Sequence, residues 1–480
     1  MSQCVYLSPK ALIVSNQLRQ RGPHGRAGLL ASTALVLGLA LMLPQAGQAQ
    51  TWDGDTDTSW SDGDNWTPNG VPGAGDTVTI NNGALANQPN VNSDQTVDQT
   101  NVSAGTLTVT AKLTSPLAVS GTGVVNIQPV GEVAGDITTS GTAQVSNDGT
   151  VTGGVTVNAG TFDNGATITG TITVNGGVFD NGGSVSGTAT VAGGTLNLNT
   201  GTALSDSAAL VVNSGTVNVN ASETVGSLAG TGGSVAIDST MALTTGDGNN
   251  TEFAGVISGD GALVKNGAGT FELSGDNTYT GTTTVNAGVL HVTGKVAGNV
   301  TVDEGKLVIG NSDAIGGSIT TTGSVISYAD TVVEASAIIL NSADTQLEVL
   351  TGESAEQSGI ISQFDATDRP LEKIGGGSLT LSAANTYEGA TTVTAGTLVV
   401  TGSIASAVVT VDNDATLEVD GSAISNTAAV TLNDTSTLNL TGNEEIGSLA
   451  GASGSFVTLG ANTLTTGGDN SSTSYAGTIS

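Results

Sequence analysis

The chain is nearly devoid of cysteine. Its one cysteine, Cys4, lies in an N-terminal segment that we expect to be absent from the mature protein. Disulfide bonds, which stabilise many exported proteins, are therefore excluded for the remainder, and a structural zinc site lacks its ligands. The order of the chain must come from another source, and a continuous ladder of backbone hydrogen bonds between β-strands can supply it.

Basic residues are also scarce, with 10 lysines and arginines against 42 acidic residues. After residue 49 the basic residues are Lys112, Lys265, Lys295, Lys306, Arg369 and Lys373. The net charge of this part is therefore −36. Nucleic acids and anionic membrane surfaces would be repelled, and acidic polysaccharides are poor ligands unless a divalent cation bridges them. The charge favours a chain that stays soluble and repels its own copies.

Proline is missing from the long middle of the chain, and aromatic residues make up only 3% of the whole. No proline occurs between Pro129 and Pro370. The whole chain contains 70 glycines and many threonines, serines, asparagines and valines. A disordered chain would tolerate proline, but a sheet interior excludes it because its nitrogen cannot donate a hydrogen bond. The gap therefore favours strands over disorder.

No apolar run after Ala49 is long enough to enter a bilayer. Before it, basic residues without any acid precede an apolar run at 29–43 and small residues at Gly47 and Ala49. This pattern is typical of a secretory signal peptide, and the run is short for a span that needs about 20 residues. We expect residues 1–49 to be cleaved after Ala49, with an uncleaved anchor as the alternative.

A short repeat with a period of 17 residues occupies the middle of the chain. Residues 155–165 return as 172–182, and a looser copy begins at Ala189. Each unit holds two or three short strands with alternating apolar residues, separated by Asn-Gly and Gly-Gly turns. A fixed period with like residues at like positions favours stacked coils over an antiparallel barrel. It predicts an all-β fold, a parallel β-helix of about 20 coils forming a rod on the order of 100 Å long.

Stacked coils place equivalent side chains on top of one another. We expect Phe162 to lie on Phe179 and Asn164 to lie on Asn181, while valine, isoleucine, leucine and alanine fill a thin interior.

Two longer duplications accompany the short repeat. Residues 263–290 return at a constant offset of 108 as residues 371–398, so that Lys265 matches Lys373. A second duplication begins at Ala208 and again at Ala428, and each copy contains Gly-Ser-Leu-Ala-Gly. The first duplication also contains Tyr279 and its counterpart Tyr387, which we expect to seal the corners of their repeats as core residues; a ligand-stacking platform is the alternative.

The first duplication follows the motif G-x-L-x-K-x-G-x-G-x-x-x-L-S-x-x-N-T-Y-x-G-x-T-T-V-x-A-G-x-L. It resembles the autotransporter-associated β-strand repeat of bacterial autotransporter passenger domains, with copies at 261–292 and 369–400. The resemblance implies a right-handed parallel β-helix. It also implies type V secretion: export through the inner membrane, passage through a C-terminal outer-membrane barrel, and display or release at the cell surface.

These observations divide the chain into five parts. We expect a signal peptide at 1–49, a Trp-rich N-terminal cap at 50–82, coils of 17–20 residues at 83–250, a segment with both long repeats at 251–400, and a β-helix continuation at 401–480.

The last segment leads towards a third long repeat and stops at Ser480. We expect the sequence to be the front part of something longer or the product of a disrupted gene. A translocation barrel needs many alternating strands of about ten residues with aromatic girdles. The sequence does not encode one, so the expected barrel partner would be supplied from outside this chain.

Catalytic chemistry has few candidates. His291 is the only histidine after residue 49, it has outward spacing on a strand, and Val399 replaces it in the second copy. A Ser-His-Asp site would have to use it, and we expect it to have no such role. We therefore predict no catalytic residues and no cofactor.

Metal binding has two candidate sets. Asp163 and Asp180 are expected to stack as turn-forming residues, with weak calcium binding as the alternative. Asp53, Asp55 and Asp57 have the 1-3-5 spacing of a calcium loop, but the glycine and the final glutamate of such a loop are replaced. We predict no metal site at either set.

The sequence predicts a non-enzymatic β-helical passenger, displayed at the cell surface, associated with the outer membrane or secreted, that acts in adhesion or as a structural element. Cell-surface or matrix glycans or proteins are its expected partners. The alternatives are a polysaccharide-acting enzyme on the same scaffold, because β-helices host both kinds of function, and a gene fragment without a function of its own.

Overall fold

Three stacks of short parallel strands run along residues 47–480, the part of the chain that the computed structural model describes. Each coil adds one strand or a single β-bridge to each stack, and about 21 coils are stacked. The predicted all-β, parallel β-solenoid is confirmed. In these residues helix is confined to one 3-10 segment, Gly63–Asn65. The predicted signal peptide lies outside the described residues, except for its last three.

The first stack, face A, extends over the whole described length. Its strands are Ala49–Trp52, Thr77–Asn81, Gln99–Val109, Leu117–Ile127, Ile137–Thr139, Val155–Val157, Ile172–Val174, Ala189–Val191, Ala209–Val212, Ser227–Ala229, Thr251–Phe253, Thr270–Leu273, Val289–Val292, Lys306–Ile309, Val325–Tyr328, Thr345–Val349, Leu371–Ile374, Thr391–Val393, Val408–Val411, Ala429–Leu432 and Ser448–Gly451.

The second stack, face B, shares the two eleven-residue strands of face A, which bend across both faces. Its other strands are Asn90–Val91, Gln144–Asn147, Thr161–Asn164, Val178–Asn181, Thr195–Leu198, Thr216–Val219, Ser234–Ile237, Val256–Gly259, Asp276–Asn277, Lys295–Val296, Val333–Glu334, Ser354–Gln357, Ser378–Leu381, Thr397–Val400, Thr416–Val419, Thr437–Leu440, Phe456–Thr458 and Thr478–Ile479.

The third stack, face C, is interrupted at Leu204 and Ile424, where single β-bridges replace strands. Its strands are Gln95–Thr96, Lys112–Thr114, Glu132–Val133, Thr150–Val151, Thr167–Ile168, Ser184–Val185, Glu223–Val225, Ala242–Thr245, Ala262–Lys265, Thr283–Val285, Val300–Val302, Ile319–Thr321, Ile338–Leu340, Ile361–Gln363, Ala384–Asn385, Ser403–Ile404, Glu444–Ile446 and Leu464–Thr466.

The first coil is closed by a small antiparallel hairpin. Ala49–Trp52 pairs with Trp66–Thr67 on one side and, in parallel, with Thr77–Asn81 on the other. Trp52 and Trp60 each pack edge-on against Trp66, with ring centroids 4.9 and 4.8 Å apart, and all three indoles are buried. The bulky cluster covers the first coil of the core, which would otherwise lie against solvent.

Stacking in register produces the expected ladders of identical side chains. Phe162 and Phe179 are paired neighbours whose rings lie parallel with centroids 5.1 Å apart, as predicted. The buried Asn147 amide donates to Asn164 (2.7 Å), and the Asn164 amide donates to Asn181 (2.8 Å). A chain of amides that satisfy one another is acceptable in the interior, because each buried polar group finds a partner on the next coil.

Glycine occupies the corner between faces C and A for a steric reason. A Cβ on Gly170 would lie 2.2 Å from the carbonyl oxygen of Gly153, and a Cβ on Gly153 would lie 2.2 Å from that of Gly135. Real Cβ atoms do not approach an oxygen this closely. Glycine at Gly135, Gly153 and Gly170 therefore allows these coils to stack at strand spacing at this corner.

The two long repeats are turned by one face relative to each other. The first copy begins on face C with Ala262–Lys265, whereas the second begins on face A with Leu371–Ile374. The offset between copies equals five coils and one further face. The segments that begin at Ala208 and Ala428 are different: their first strands, Ala209–Val212 and Ala429–Leu432, both lie on face A.

Buried glutamates compensate for the two interruptions of face C. The Glu223 carboxylate accepts from the Ala203 and Leu204 N–H groups, both at 3.1 Å. Glu444, in the equivalent copy, accepts in the same way from the Ala423 and Ile424 N–H groups, at 2.9 and 3.1 Å. Each glutamate therefore supplies acceptors where the preceding coil has a bridge and no strand.

Burial has a consequence for the charge of these carboxyl groups. It raises the pKa of Glu223 to about 7 against the opposing effect of its two N–H donors, and it raises the pKa of Glu444 in the same direction. A carboxyl group whose pKa is higher in the folded than in the unfolded state binds more protons when folded. Its contribution to stability is complete below the unfolded value, near 4.5, and is lost as pH rises through the folded value.

We predict that the free energy of unfolding falls between pH 4.5 and pH 7.5, by about 2 kcal/mol for Glu223 and in the same direction for Glu444. In the double variant Glu223→Gln/Glu444→Gln, the two side chains no longer titrate, so the fall should be clearly smaller even though overall stability is lower. Urea unfolding at several pH values measures the slope. Glu132→Gln, at an ion-paired and partly exposed site, is the control. A slope that is the same in the double variant and the control would contradict the assignment.

Candidate functional site

His291 points outward from face A and contacts an acidic neighbour. Its Nδ1 lies 3.8 Å from the Glu272 carboxylate, and its strand neighbour on the other side is Val308. In residues 47–480 no hydrogen bond joins His291 to a serine or threonine hydroxyl. The geometry is that of a half-buried contact between an imidazole and a carboxylate on neighbouring strands, without the nucleophile that a catalytic triad requires.

Asp163 and Asp180 are stacked on adjacent coils of face B, in register. Asp180 accepts a hydrogen bond from the amide of Asn197, its neighbour on the following coil. The pKa of Asp163 is raised by partial burial and, to a lesser degree, by the negative charges of Asp180 and Asp148. Like charges at this spacing repel, and the hydrogen bond from Asn197 offsets part of that repulsion.

The acidic series near the N-terminus is used to hold the first coil together. Asp57 accepts from the Ser59 N–H (2.7 Å) and from the Asn65 amide (2.8 Å), while Asp53 accepts from the Thr67 hydroxyl. Asp55 is exposed. Across the described residues, no group of three or more His, Cys, Asp or Glu side chains is arranged to hold a metal ion.

The lysine of each long repeat is buried and faces backbone oxygens. Lys265 donates to the carbonyls of Asn266 (2.6 Å), Gly267 (2.8 Å) and Ala287 (3.2 Å), and only 1% of its surface is exposed. Burial lowers its pKa, and the nearby Asp247 acts in the opposite direction. The ammonium group thus fills the corner and satisfies carbonyls from two successive coils.

Lys373 does the same in the second copy. Its ammonium donates to the carbonyls of Ile374, Gly375, Gly377 and Ala395 at 2.8–3.2 Å. Burial lowers its pKa to about 8, although the negative charge of Glu348 partly opposes the shift.

The asparagine of each repeat forms hydrogen bonds with backbone groups of the neighbouring coils. Asn277 accepts from the Ile257 N–H (2.9 Å) and donates to the carbonyls of Gly275 and Lys295 at 2.9 and 3.0 Å. Asn385 makes the same three bonds at the equivalent corner of its own copy. One side chain therefore joins three successive coils.

The tyrosine of each repeat is a core residue, as predicted. Tyr279 and Tyr387 are fully buried, and their hydroxyls pair with those of Thr283 and Thr391. Burial raises the pKa of Tyr387 to about 12, so the hydroxyl remains protonated under any physiological condition.

The positions that the two copies share are mainly those that are buried. Several half-exposed positions differ, since Glu272 is replaced by Thr380 and His291 by Val399. Other exposed or half-exposed positions recur, such as Ser274, Thr278 and Thr284, which return as Ser382, Thr386 and Thr392. The repeat therefore preserves its buried corner contacts together with some of its outer positions.

Hydroxyl and amide side chains dominate the outer surface of the middle coils. Thr138, Thr156, Thr173 and Thr190 form one column on face A. On the outside of face B and its corners, asparagines pair between coils, as in the bond from Asn175 to Asn158 (2.9 Å). No lysine or arginine lies between residues 112 and 265, so these columns are neutral or acidic.

Sequence reasoning did not find the buried partners of Lys265, Lys373, Glu223 and Glu444. The signal was present, because all four recur at matched positions of the duplications and charged residues seldom recur on a free surface. To predict their partners, one must know which backbone carbonyl or N–H group lies opposite each side chain on the neighbouring coil. That depends on the register between coils.

We predict that Lys373→Met lowers the free energy of unfolding by about 2 kcal/mol, because it keeps an apolar stem but leaves buried carbonyls without donors. Lys295→Met, at an exposed side chain for which no ion pair is present in residues 47–480, is the matched control and should change stability by less than about 0.5 kcal/mol. Urea unfolding midpoints provide the comparison. Equal effects of the two substitutions would show that the Lys373 contacts are not stabilising.

Comparison with known proteins locates both long repeats. The Passenger-associated-transport-repeat family matches residues 263–292 and 371–400. The adhesin BmaC autotransporter of Brucella suis biovar 1 (strain 1330) is 33% identical over 221 residues, which is 43% of this chain and 6% of that protein. No solved structure gives a significant match.

Extracellular serine proteases of Serratia marcescens match shorter segments. One is 55% identical over 47 residues, covering 10% of this chain and 4% of that protein, and another is 41% identical over 68 residues, covering 14% and 6%. The matched part thus spans less than a tenth of the length of each of these relatives. None of the helices in residues 47–480 has the length and apolar character of a membrane span.

The repeats, the solenoid that they build and these relatives support the resemblance read from the sequence: the chain carries two passenger-associated transport repeats and is similar to autotransporter passengers.

Proposed function

We propose that this passenger is non-enzymatic, is displayed at the cell surface or secreted, and acts in adhesion, cell–cell contact or matrix formation. The observation that carries the proposal is the outer surface: repeated columns of threonine and asparagine, stacked coil upon coil. Contacts that are weak singly become strong when many act together on one rod. The name of the Brucella relative, an adhesin, supports the same function.

An enzyme on this scaffold is the weaker proposal. Cleaving a polysaccharide requires carboxylates that converge on one sugar, usually with a cation that binds the substrate. Asp163 and Asp180 share a face with an asparagine column, and His291 faces Glu272 on another part of the chain. The serine protease relatives match short segments only, and these matches do not identify a catalytic residue in this chain.

Export is proposed to use a cognate outer-membrane barrel as partner and residues 1–49 as the signal. Cleavage after Ala49 is compatible with the first coil. Gln50 and Thr51 would keep their pairing with Val78 and Thr79. The side-chain amide of Gln50 would still donate its hydrogen bond to the Gly70 carbonyl (2.7 Å).

We predict that N-terminal sequencing of the exported protein gives Gln50-Thr51-Trp52 as its first residues. A mature N-terminus beyond Trp52 would remove the strand that covers the first coil and would contradict the proposed site.

The adhesive function predicts that beads coated with the purified chain attach to cells or to extracellular matrix more than beads coated with an unrelated protein of equal negative charge. Attachment should increase with salt up to about 0.3 M, because screening weakens the repulsion caused by the −36 charge while neutral contacts persist. Attachment no greater than that of the control protein at every salt concentration would refute adhesion. Release of reducing sugar ends by the chain would favour the enzyme.

A further inference from the structure

A cavity of about 450 Å³ lies along the corner between faces C and A. Its floor is the glycine corner at Gly153 and Gly170, and its open centre is at Gly154. In the same column the neighbouring coils carry Asp136 on one side and Thr171 on the other. The cavity therefore exists because one coil lacks a side chain that its neighbours have, and we call it the Gly154 notch.

Four threonine residues line the Gly154 notch: Thr138, Thr152, Thr156 and Thr171. None of the four makes a side-chain hydrogen bond to another described residue. Because a hydroxyl both donates and accepts, the four can pair with a ligand whose own groups do the same.

Asp136 is the one charged residue in the lining. One carboxylate oxygen accepts from the Gly154 N–H at 2.8 Å, and this bond fixes the side chain at the edge of the notch. The other oxygen is not engaged by any described residue. A carboxylate oxygen held beside free hydroxyls is an acceptor for the hydroxyl donors of a ligand.

The charge around the notch selects against anions. The nearest lysines in sequence are Lys112 and Lys265, which lie outside the coils that form the notch, and the surrounding protein is strongly acidic. A ligand rich in hydroxyl groups and without negative charge fits these surroundings, whereas a sulfated or uronic-acid chain is repelled.

The columns on either side extend the same chemistry to further coils. Thr138 and Thr156 continue as Thr173 and Thr190 at strand spacing, and Thr171 continues as Thr188. A linear ligand lying along the solenoid axis would therefore meet hydroxyls beyond the notch. A volume of 450 Å³ is within the range of small-ligand sites and holds a part of such a chain.

We infer that the Gly154 notch binds a neutral glycan chain, with Asp136 and the four threonine hydroxyls as the hydrogen-bonding groups. This rests on the proposed adhesive function and gives it a ligand class. Recognition is by hydrogen bonds to sugar hydroxyls, and the glycine floor admits the ring where a side chain would exclude it.

The variant Gly154→Thr tests the notch, because the next two coils carry Thr171 and Thr188 at the equivalent position. A Cβ at Gly154 would lie 3.3 Å from the Thr171 carbonyl oxygen, a contact that a shift of a few tenths of an ångström relieves. The new side chain occupies part of the cavity at Gly154 and narrows it. Thr161→Val on face B, where the next coil has Val178, is the matched control that changes a surface threonine outside the notch.

Calorimetric titration of the purified chain uses neutral hexasaccharides (cellohexaose, laminarihexaose, maltohexaose) and, as the anionic probe, hexagalacturonate. At least one neutral sugar should bind, Gly154→Thr should weaken it about tenfold or more, and Thr161→Val should bind as the parent does. Binding should persist in EDTA. The inference is overturned if no neutral hexasaccharide binds, if Gly154→Thr binds normally with unchanged unfolding behaviour, or if only hexagalacturonate with calcium binds.

The bead assay separates this inference from the function on which it rests. If parent beads adhere and Gly154→Thr beads adhere equally, adhesion stands and the notch is not its ligand site. If parent beads do not adhere while the hexasaccharide titration behaves as expected, the notch stands and adhesion fails.

Discussion

Backbone pairing between successive coils is the constraint on which the rest of this protein depends. Most strands are hydrogen-bonded to the coil before and the coil after, so side chains one coil apart are held at strand spacing, about 4.8 Å. Identical residues then meet, as Phe162 meets Phe179, and only glycine fits where backbones are closest, as at Gly153 and Gly170. A chain whose single cysteine is Cys4 acquires its order from this ladder.

The same constraint explains where buried charge occurs. A regular coil pairs its own backbone, but a corner or an interrupted strand leaves carbonyl or N–H groups facing the interior. Lys265 and Lys373 supply donors at such corners, and Glu223 and Glu444 supply acceptors where face C is reduced to a bridge. These four buried charged side chains therefore form hydrogen bonds with backbone groups that lack a strand partner, and both copies of each duplication contain them.

The coil architecture was predictable from the sequence because it depends on period. The 17-residue spacing, the absence of proline and the alternation of apolar residues predicted parallel stacked strands, and the core position of Tyr279 followed from its place in the repeat. The partners of Lys373 and Glu223 were not predictable, since they depend on corner lengths that vary from coil to coil. The Gly154 notch was missed for a related reason: it is a missing side chain, and it becomes visible only when Asp136 and Thr171 are known to flank it.

The rotation of the long repeats bears on how such a rod can work. Copies offset by five coils and one face present equivalent outer positions in different directions around the axis, and those positions also carry different residues, as at His291 and Val399. One flat partner could not read both copies as the same surface. The buried corners that the copies share serve folding in both orientations, whereas a column that persists on one face over several consecutive coils presents one continuous surface. The threonine column from Thr138 to Thr190 is such a column, and a partner bound there can be linear and can follow the axis.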